Sequence, residues 1–249
     1  MIDTHCHITS ENYDNLDEII IKIKEAGIKK IIVNGCNMKS NLEILRLIKR
    51  YDVVYGTLGF HPTELYEYSN ECLEFLENHI NDEKIVGLGE IGLDYHYENT
   101  DKKLQKNAFR KQLFIAERHD KAVIIHSRDA IQDTYDILKE FNVRGSLHCY
   151  SGSLEMAREF IKLGFYIGIG GVVTFRNAKN IVQVIENISL NNILLETDAP
   201  YLTPEPYRGV KNDSSYIPLI VEKIAMIKKT SKDQVVDITT RNADDLFDF

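Results

Sequence analysis

The sequence predicts an α/β protein built as one closed parallel (β/α)8 barrel, the TIM-barrel architecture. Three observations carry that expectation. Short β-rich runs alternate with longer amphipathic stretches from one end of the chain to the other. Eight such runs occur, each followed by a stretch with helical spacing, which favours a closed barrel over an open doubly wound sheet. The length of 249 residues matches the roughly 250 usual for the fold. No linker, low-complexity segment or short-period repeat interrupts the pattern, so residues 1–249 read as one domain. An open α/β sheet is the structural alternative.

The expected strands are Ile2–Ile8, Lys29–Gly35, Val53–Phe60, Ile85–Ile91, Ala122–Ser127, Arg144–Tyr150, Phe165–Gly170 and Asn192–Asp198. After the first, Leu16, Ile19, Ile20, Ile23 and Ala26 recur at three and four residues, a helical stripe that Gly27 is placed to stop. Ser153 is positioned to cap a helix carrying Leu154, Ala157, Phe160 and Ile161 before Gly164. Asn177 precedes Ile181, Val184, Ile185 and Ile188 in the same manner. The last helix opens on Ser231-Lys232-Asp233-Gln234, a capping-box pattern. Pro200, Pro204 and Pro206 stiffen the loop after the eighth strand, at the C-terminal mouth where barrel enzymes work.

Composition narrows the function classes. With 43% hydrophobic and 27% charged residues and only 14 Gly and 5 Pro, the chain is neither disordered nor collagen-like. No apolar run approaches the roughly 18–20 residues of a membrane helix, so no membrane association is expected. The first strand begins at Ile2 and leaves no room for a signal peptide. Cys6, Cys36, Cys72 and Cys149 lie far apart with no CxxC pair and read as reduced thiols, which points to the cytoplasm. The net charge of −8 opposes wide contact with nucleic acid. Such a substrate requires local cations or bound metal at a cleft.

The chemistry concentrates at strand ends. His5 and His7 flank Cys6, and a period of two puts both imidazoles on one face. Glu90, His126, His148 and Asp198 end strands four, five, six and eight, and barrel strand ends converge on one mouth. Ordinary hydrogen bonding would have to explain six metal-type side chains in one rim. Four imidazoles and two carboxylates are also the ligands that borderline divalent cations prefer. Arg128 should project beside His126 as a fork-shaped phosphate clamp, or else steady the loop through a salt bridge. Arg208 and Lys211, in the long last loop, are candidates for a substrate phosphate, with a solvated charge the alternative for Lys211. His61, His96 and Tyr97 fall near the same rim, with a loop-capping role the alternative for His61, whereas His79 and His119 sit on helices and read as surface groups. Tyr150, Phe175 and Tyr201 could stack bases or simply pack. Glu196 shares the inward face with Asp198, either orienting a ligand histidine or pairing with a barrel cation.

The segments MIDTHCHI, GEIGLDYH (Gly89–His96), IHSRDA (Ile125–Ala130), HCYSG (His148–Gly152) and LETDAPYLTPEPYRG (Leu195–Gly209) resemble the successive signatures of the TatD family. These are metal-dependent deoxyribonucleases with an amidohydrolase-like barrel. The resemblance runs nearly the whole length, ending at Asn242…Leu246-Phe247. It implies a TIM barrel of the metal-dependent hydrolase type with two divalent cations per chain, drawn from Mg, Zn and Mn. It implies that His5, His7 and Asp198 hold one metal, that His126 and His148 hold the second, and that Glu90 bridges them. Asp198 would handle the proton of the attacking water, making Asp198 and Glu90 the catalytic carboxylates. His61 would join Arg128 and Arg208 in binding substrate. Two positions depart from the family pattern. Thr9 replaces an Asp or Asn that would steady the histidine pair, and Val210–Tyr216 reads Val-Lys-Asn-Asp-Ser-Ser-Tyr where the family more often carries an additional basic residue, an acid and a proline.

The expected activity is hydrolysis of DNA phosphodiester bonds, from an end and on single strands, because a deep rim site in an acidic protein suits a frayed terminus. No obligate protein partner is expected. The alternative is a metal-dependent hydrolase of small-molecule amides or lactones, since the same ligands serve acyl chemistry. A non-catalytic binding protein is the remaining rival, disfavoured by the cost of keeping unused buried carboxylates.

Overall fold

Parallel strands rich in Val and Ile have no polar face, so they must be covered on both sides. The computed structural model describes residues 1–249, the side chain of Glu67 excepted. Its strands are β1 (Ile2–Cys6), β2 (Lys30–Asn34), β3 (Val54–Leu58), β4 (Ile85–Asp94), β5 (Ala122–Arg128), β6 (Gly145–Leu147), β7 (Phe165–Ile169) and β8 (Ile193–Leu195). They pair in parallel in chain order from β1 to β8. The last strand returns to the first. The Thr4 hydroxyl donates to the Leu195 carbonyl at 3.0 Å, Asp198 N–H to the His5 carbonyl at 3.0 Å, and His7 N–H to the Ala199 carbonyl at 2.7 Å. The barrel is thereby closed by the chain segments that carry three of the candidate ligands.

All eight expected strands are present, but their C-terminal ends differ from the expectation. β8 stops at Leu195 rather than Asp198 and β6 at Leu147 rather than Tyr150, while β4 runs on to Asp94. The reason is local backbone geometry. Asp198 (φ 56°) and Cys149 (φ 44°) take the left-handed conformation, which leaves the ladder and turns the rim segments over the mouth. Gly92 does the opposite service for β4. With φ +145°, a Cβ there would lie 2.0 Å from the His126 carbonyl, so only glycine lets β4 lie this close to His126.

The helices are α1 (Leu16–Glu25), α2 (Met38–Arg50), α3 (Asn70–His79), α4 (Lys102–Arg118), α5 (Ile131–Leu138), α6 (Leu154–Lys162), α7 (Lys179–Asn187), α8 (Ile217–Lys228) and α9 (Lys232–Phe247). Gly27 follows α1 at φ +80°, as its position predicts. Ser153 accepts from Met156 N–H and caps α6. Asn177 does not cap α7. Its carbonyl accepts from Lys179 N–H at 2.8 Å, and this extra turn moves the helix start to Lys179 with Ala178 before it. At α9 one arm of the capping box forms, from Gln234 N–H to Ser231 Oγ, while the Gln234 side chain bonds Thr230 instead. The main apolar core lies between the barrel wall and the helices. A second cluster of Ile2, Ile32, Val86, Ile124 and Leu194 meets Leu246 and Phe247 of α9 at the barrel's N-terminal end. No helix is long and apolar enough to cross a membrane among the described residues.

Beneath the mouth, Asp3 is fully buried and accepts four hydrogen bonds. They come from His5 N–H (3.2 Å), Thr197 N–H (3.0 Å), Thr197 Oγ1 (2.6 Å) and Ser214 Oγ (2.6 Å). One carboxylate thus ties β1 to the segment after β8 and to the entry of α8. Burial pushes its pKa up to about 6, while the bonds from Ser214 and Thr197 pull the other way. A raised carboxyl pKa means that the folded protein holds the proton more tightly than the unfolded chain. The resulting stabilisation is complete below about pH 4 and is lost as pH rises through about 6. Asp3→Asn, which does not titrate, is therefore predicted to gain on wild type in unfolding free energy between about pH 4 and 6, with a flat difference above. Asp3→Ala strands the donors and should cost about 3 kcal/mol. Denaturant unfolding across that pH range checks both, and a pH-independent difference between wild type and Asp3→Asn would contradict the first.

Candidate metal centre

β1, β4, β5 and the rim segments after β6 and β8 bring all six expected ligand residues together; His7, Glu90, His126, His148 and Asp198 line one cavity, and His5 lies buried behind them. His5 is fully buried and Glu90 is 4% exposed. The His5 and His7 Nε2 atoms lie 3.2 Å apart and sit 3.5 and 3.4 Å from Glu90 Oε2. Asp198 Oδ1 is 3.6 Å from the first and 3.7 Å from the second. The other Glu90 oxygen faces a different group. Oε1 is 2.8 Å from His126 Nδ1, 2.9 Å from His148 Nε2 and 3.4 Å from His61 Nε2. His126 Nδ1 and His148 Nε2 are 3.3 Å apart.

These spacings fit divalent cations. Two ligands each about 2.1 Å from a tetrahedral ion lie roughly 3.4 Å apart, which is the separation found among these atoms. The His5 and His7 nitrogens also face each other, an arrangement that leaves a shared lone-pair position for a cation. Asp198 is not confined to the His5–His7 side, because His5, His148 and Asp198 donors also fall within 4.8 Å of one another. The electrostatics agree. Burial pushes Glu90 up, yet His148, His61 and His5 together with the bond from His126 hold it well below the usual carboxylate range. Burial lowers His126, but bonds to Asp94 and Glu90 raise it to about 9. A cation taking the His126 position must displace that proton.

The supports behind these groups were partly legible. Asp94, which the sequence reading missed, accepts from His126 Nε2 at 3.0 Å and thereby turns Nδ1 toward Glu90. Its signal was available, since it stands at an even spacing from Glu90 inside GEIGLDYH. Glu196 is fully buried, takes Cys149 N–H on Oε1 and lies 3.8 Å from His148 Nδ1. That separation is too long for a hydrogen bond, so Glu196 acts on His148 through its charge, and no barrel lysine or arginine pairs with it among the described residues. Gly168 makes room for it, as a Cβ there would meet Glu196 Oε2 at 2.4 Å. Burial raises Glu196 to about 8. His7 Nδ1 is steadied by the Asn34 carbonyl at 3.2 Å, so the histidine pair does not need an acid in place of Thr9. Cys36, which no motif marked, lies 3.8 Å from the same Nδ1.

The cavity, about 550 Å³, is also lined by His61, Tyr97, Arg128 and Tyr201. His61, expected as a substrate residue or as a loop-capping histidine, stands against Glu90 and also takes a bond from its own loop. Thr63 N–H donates to its Nδ1 at 3.2 Å, which leaves the ring proton on Nε2 facing Glu90. Arg128 enters no ion pair among the described residues, so its salt-bridge alternative is not realised. Arg208 is not in this cavity; its guanidinium lies over the Phe175 ring, 4.0 Å from the centroid. Lys211 donates to the Asn12 carbonyl at 2.7 Å. His96 pairs with Asp129 outside the cavity, and the Tyr150 hydroxyl donates to the Ser153 carbonyl, a packing role. His79 and His119 bond Asp82 and Glu77. The divergent segment Val210–Tyr216 serves structure. Asn212 and Ser214 are fully buried and Asp213 takes Lys22 at 2.5 Å.

Asp94→Asn keeps the shape but loses the charge that orients His126. It is expected to weaken divalent-metal affinity roughly 10- to 100-fold with the fold retained. Competition against a fluorescent chelator measures this, and unchanged affinity would remove Asp94 from the site.

The family model of the TatD related DNases matches residues 2–248. YabD of Bacillus subtilis (strain 168), an uncharacterized metal-dependent hydrolase, is 39% identical over 99% of this chain and 98% of its own. YcfH of Escherichia coli (strain K12), described in the same words, is 34% identical over 99% of this chain and 95% of its own. The crystal structure of YjjV, a TatD homolog from Escherichia coli K12, superposes with a TM-score of 0.94 at 30% identity, covering 100% of this chain and 98% of that one. With the barrel, the converging donors and the full-length match all in agreement, the chain belongs to the TatD family and is a metal-dependent hydrolase.

Proposed function

We propose that the protein is a deoxyribonuclease that hydrolyses phosphodiester bonds at single-stranded DNA ends through a two-metal centre. The observation that carries this reading is the division of labour at Glu90, whose two oxygens face two separate histidine groups. His5 and His7, with Asp198, would hold one cation and His126 and His148 the other, with Glu90 between them. Bound divalent ions would supply a nucleophile from water near neutral pH and draw charge from the phosphoryl oxygens. Arg128, unpaired at the cavity wall, offers a forked pair of donors to a phosphate. His61 lines the same cavity, its Nε2 3.4 Å from Glu90. Burial raises the proton affinity of Asp198, with His148 and His7 pulling it back, which suits a carboxylate that accepts a proton from water.

A single-stranded end fits the surroundings better than a duplex interior. Tyr97 and Tyr201, each 58% exposed, flank the mouth and offer faces to unpaired bases. The net charge of −8 works against a wide duplex footprint.

Release of nucleotides from end-labelled single-stranded DNA by the metal-loaded protein tests the reading. Asp198→Asn is expected to lower the rate about 10²–10⁴-fold from lost proton transfer, and weakened metal binding adds to that. Arg128→Ala should cost about 1.5–3 kcal/mol, roughly ten- to a hundredfold, at sub-saturating substrate with metal content intact. Wild type that releases no nucleotide yet cleaves amides or lactones would replace this reading with the small-molecule one.

A further inference from the structure

Arg128 and Arg208 line different cavities, and Tyr201 is common to both. The second cavity is a groove of about 460 Å³ whose lining includes Phe175, Tyr201, Arg208 and Lys211. Its parts are held, not loose. Tyr201 N–H donates to the Asp198 carbonyl at 2.9 Å, and its own carbonyl accepts from Asn212 Nδ2 at 2.6 Å. Asn212 is itself fully buried, with the same amide bonding the Thr197 carbonyl at 2.9 Å and its N–H bonding the Pro200 carbonyl at 3.1 Å. The backbone that bears the ring is thereby anchored three residues from a candidate metal ligand, while Tyr201 remains 58% exposed. Thr203 Oγ1 bonds the Val210 carbonyl at 2.5 Å, and Glu205 N–H bonds Thr174 Oγ1 at 2.8 Å, which fixes the loop bearing Arg208.

Arg208 lays one face of its guanidinium on Phe175, 4.0 Å from Cζ to centroid. Stacking restrains the side chain and leaves the N–H edges outward, and they meet no carboxylate among the described residues. Lys211 has its ammonium bonded to Asn12 and adds positive charge without competing for the same geometry. A planar aromatic face followed by a pre-oriented guanidinium is the pairing that recognises one base and one phosphate of a single strand.

We infer that the Tyr201–Arg208–Phe175 groove is a second subsite that takes the nucleotide adjoining the scissile phosphodiester, with its base on Tyr201 and its phosphate on Arg208. This rests on the phosphodiesterase reading of the metal centre. Binding there lets the enzyme favour a strand of two or more nucleotides over an isolated phosphodiester, since the latter reaches the metal cavity without touching Arg208.

The experiment compares kcat/KM of the metal-loaded enzyme for an oligothymidylate and for bis(p-nitrophenyl) phosphate. In Arg208→Ala and Tyr201→Ala the ratio of the two values is expected to fall about tenfold or more, through KM for the oligonucleotide. Tyr201→Phe keeps the ring and should hold the ratio within about twofold of wild type. An unchanged ratio in both alanine variants overturns the subsite. So does a parallel loss on both substrates, which would mean that the loop merely supports the metal centre. If wild type hydrolyses neither substrate, the phosphodiesterase reading fails separately. Fluorescence anisotropy of labelled oligothymidylate with the metal-free protein then decides. Weaker binding by Arg208→Ala supports the groove, and equal binding, or none by wild type, overturns it.

Discussion

A carboxylate buried to 4% exposure costs several kcal/mol unless charge or donors surround it, and Glu90 is surrounded by imidazoles on both of its oxygens. Much of the mouth is arranged around that requirement. His5 and His7 reach Oε2 only because β1 closes against the segment after β8, which also delivers Asp198. His126 reaches Oε1 because Gly92 lets β4 and β5 approach and because Asp94 holds the far side of the ring. Glu196, 3.8 Å from His148 Nδ1, occupies the space that Gly168 leaves open. A cluster of this kind, with four imidazoles and two carboxylates packed together, carries unfavourable like-charge contacts in the absence of cations. The repulsion that His148 exerts on His5 is one of them. Such a site is tuned for ions rather than for stability.

Much of this was legible in the sequence, for physical reasons that differ by residue. Strand and helix alternation survives in the hydrophobic spacing, and a parallel barrel forces every strand's C-terminal end to one mouth. Six polar side chains at five such ends therefore predicted their own convergence. What periodicity could not carry was the rim. Asp198 and Cys149 leave the extended conformation, so β8 and β6 are shorter than their apolar runs suggest. Asp94 sat in plain view, but its partner nitrogen on His126 depends on ring orientation, which spacing does not encode. Arg208 and Arg128 looked equivalent in sequence. A loop that folds back through Asn212 separates them into adjoining cavities. Asn177 shows the limit of cap signals, since a tight backbone turn moved the helix start past it.

The proposed nuclease activity would set an acidic chain against an anionic substrate, and the arrangement of the mouth reconciles the two. A net charge of −8 sets the far field, which screens within about 10 Å at ordinary salt. On the proposed reading, the charges that would act at contact distance are bound cations and Arg128 inside the mouth, with Arg208 in the adjoining groove. Electrostatic steering would then be weak and local grip strong, a balance that would favour thin, flexible strand ends over broad duplex surfaces.

The central claim is that Glu90 stands between two ion positions. Crystals soaked in manganese, with data collected for anomalous scattering, test it most directly. The account predicts two anomalous peaks flanking the Glu90 carboxylate, each roughly 2.0–2.3 Å from its donors. One should contact Oε2 with His5 and His7, the other Oε1 with His126 and His148. A single peak, or peaks that leave Glu90 uncoordinated, would contradict it.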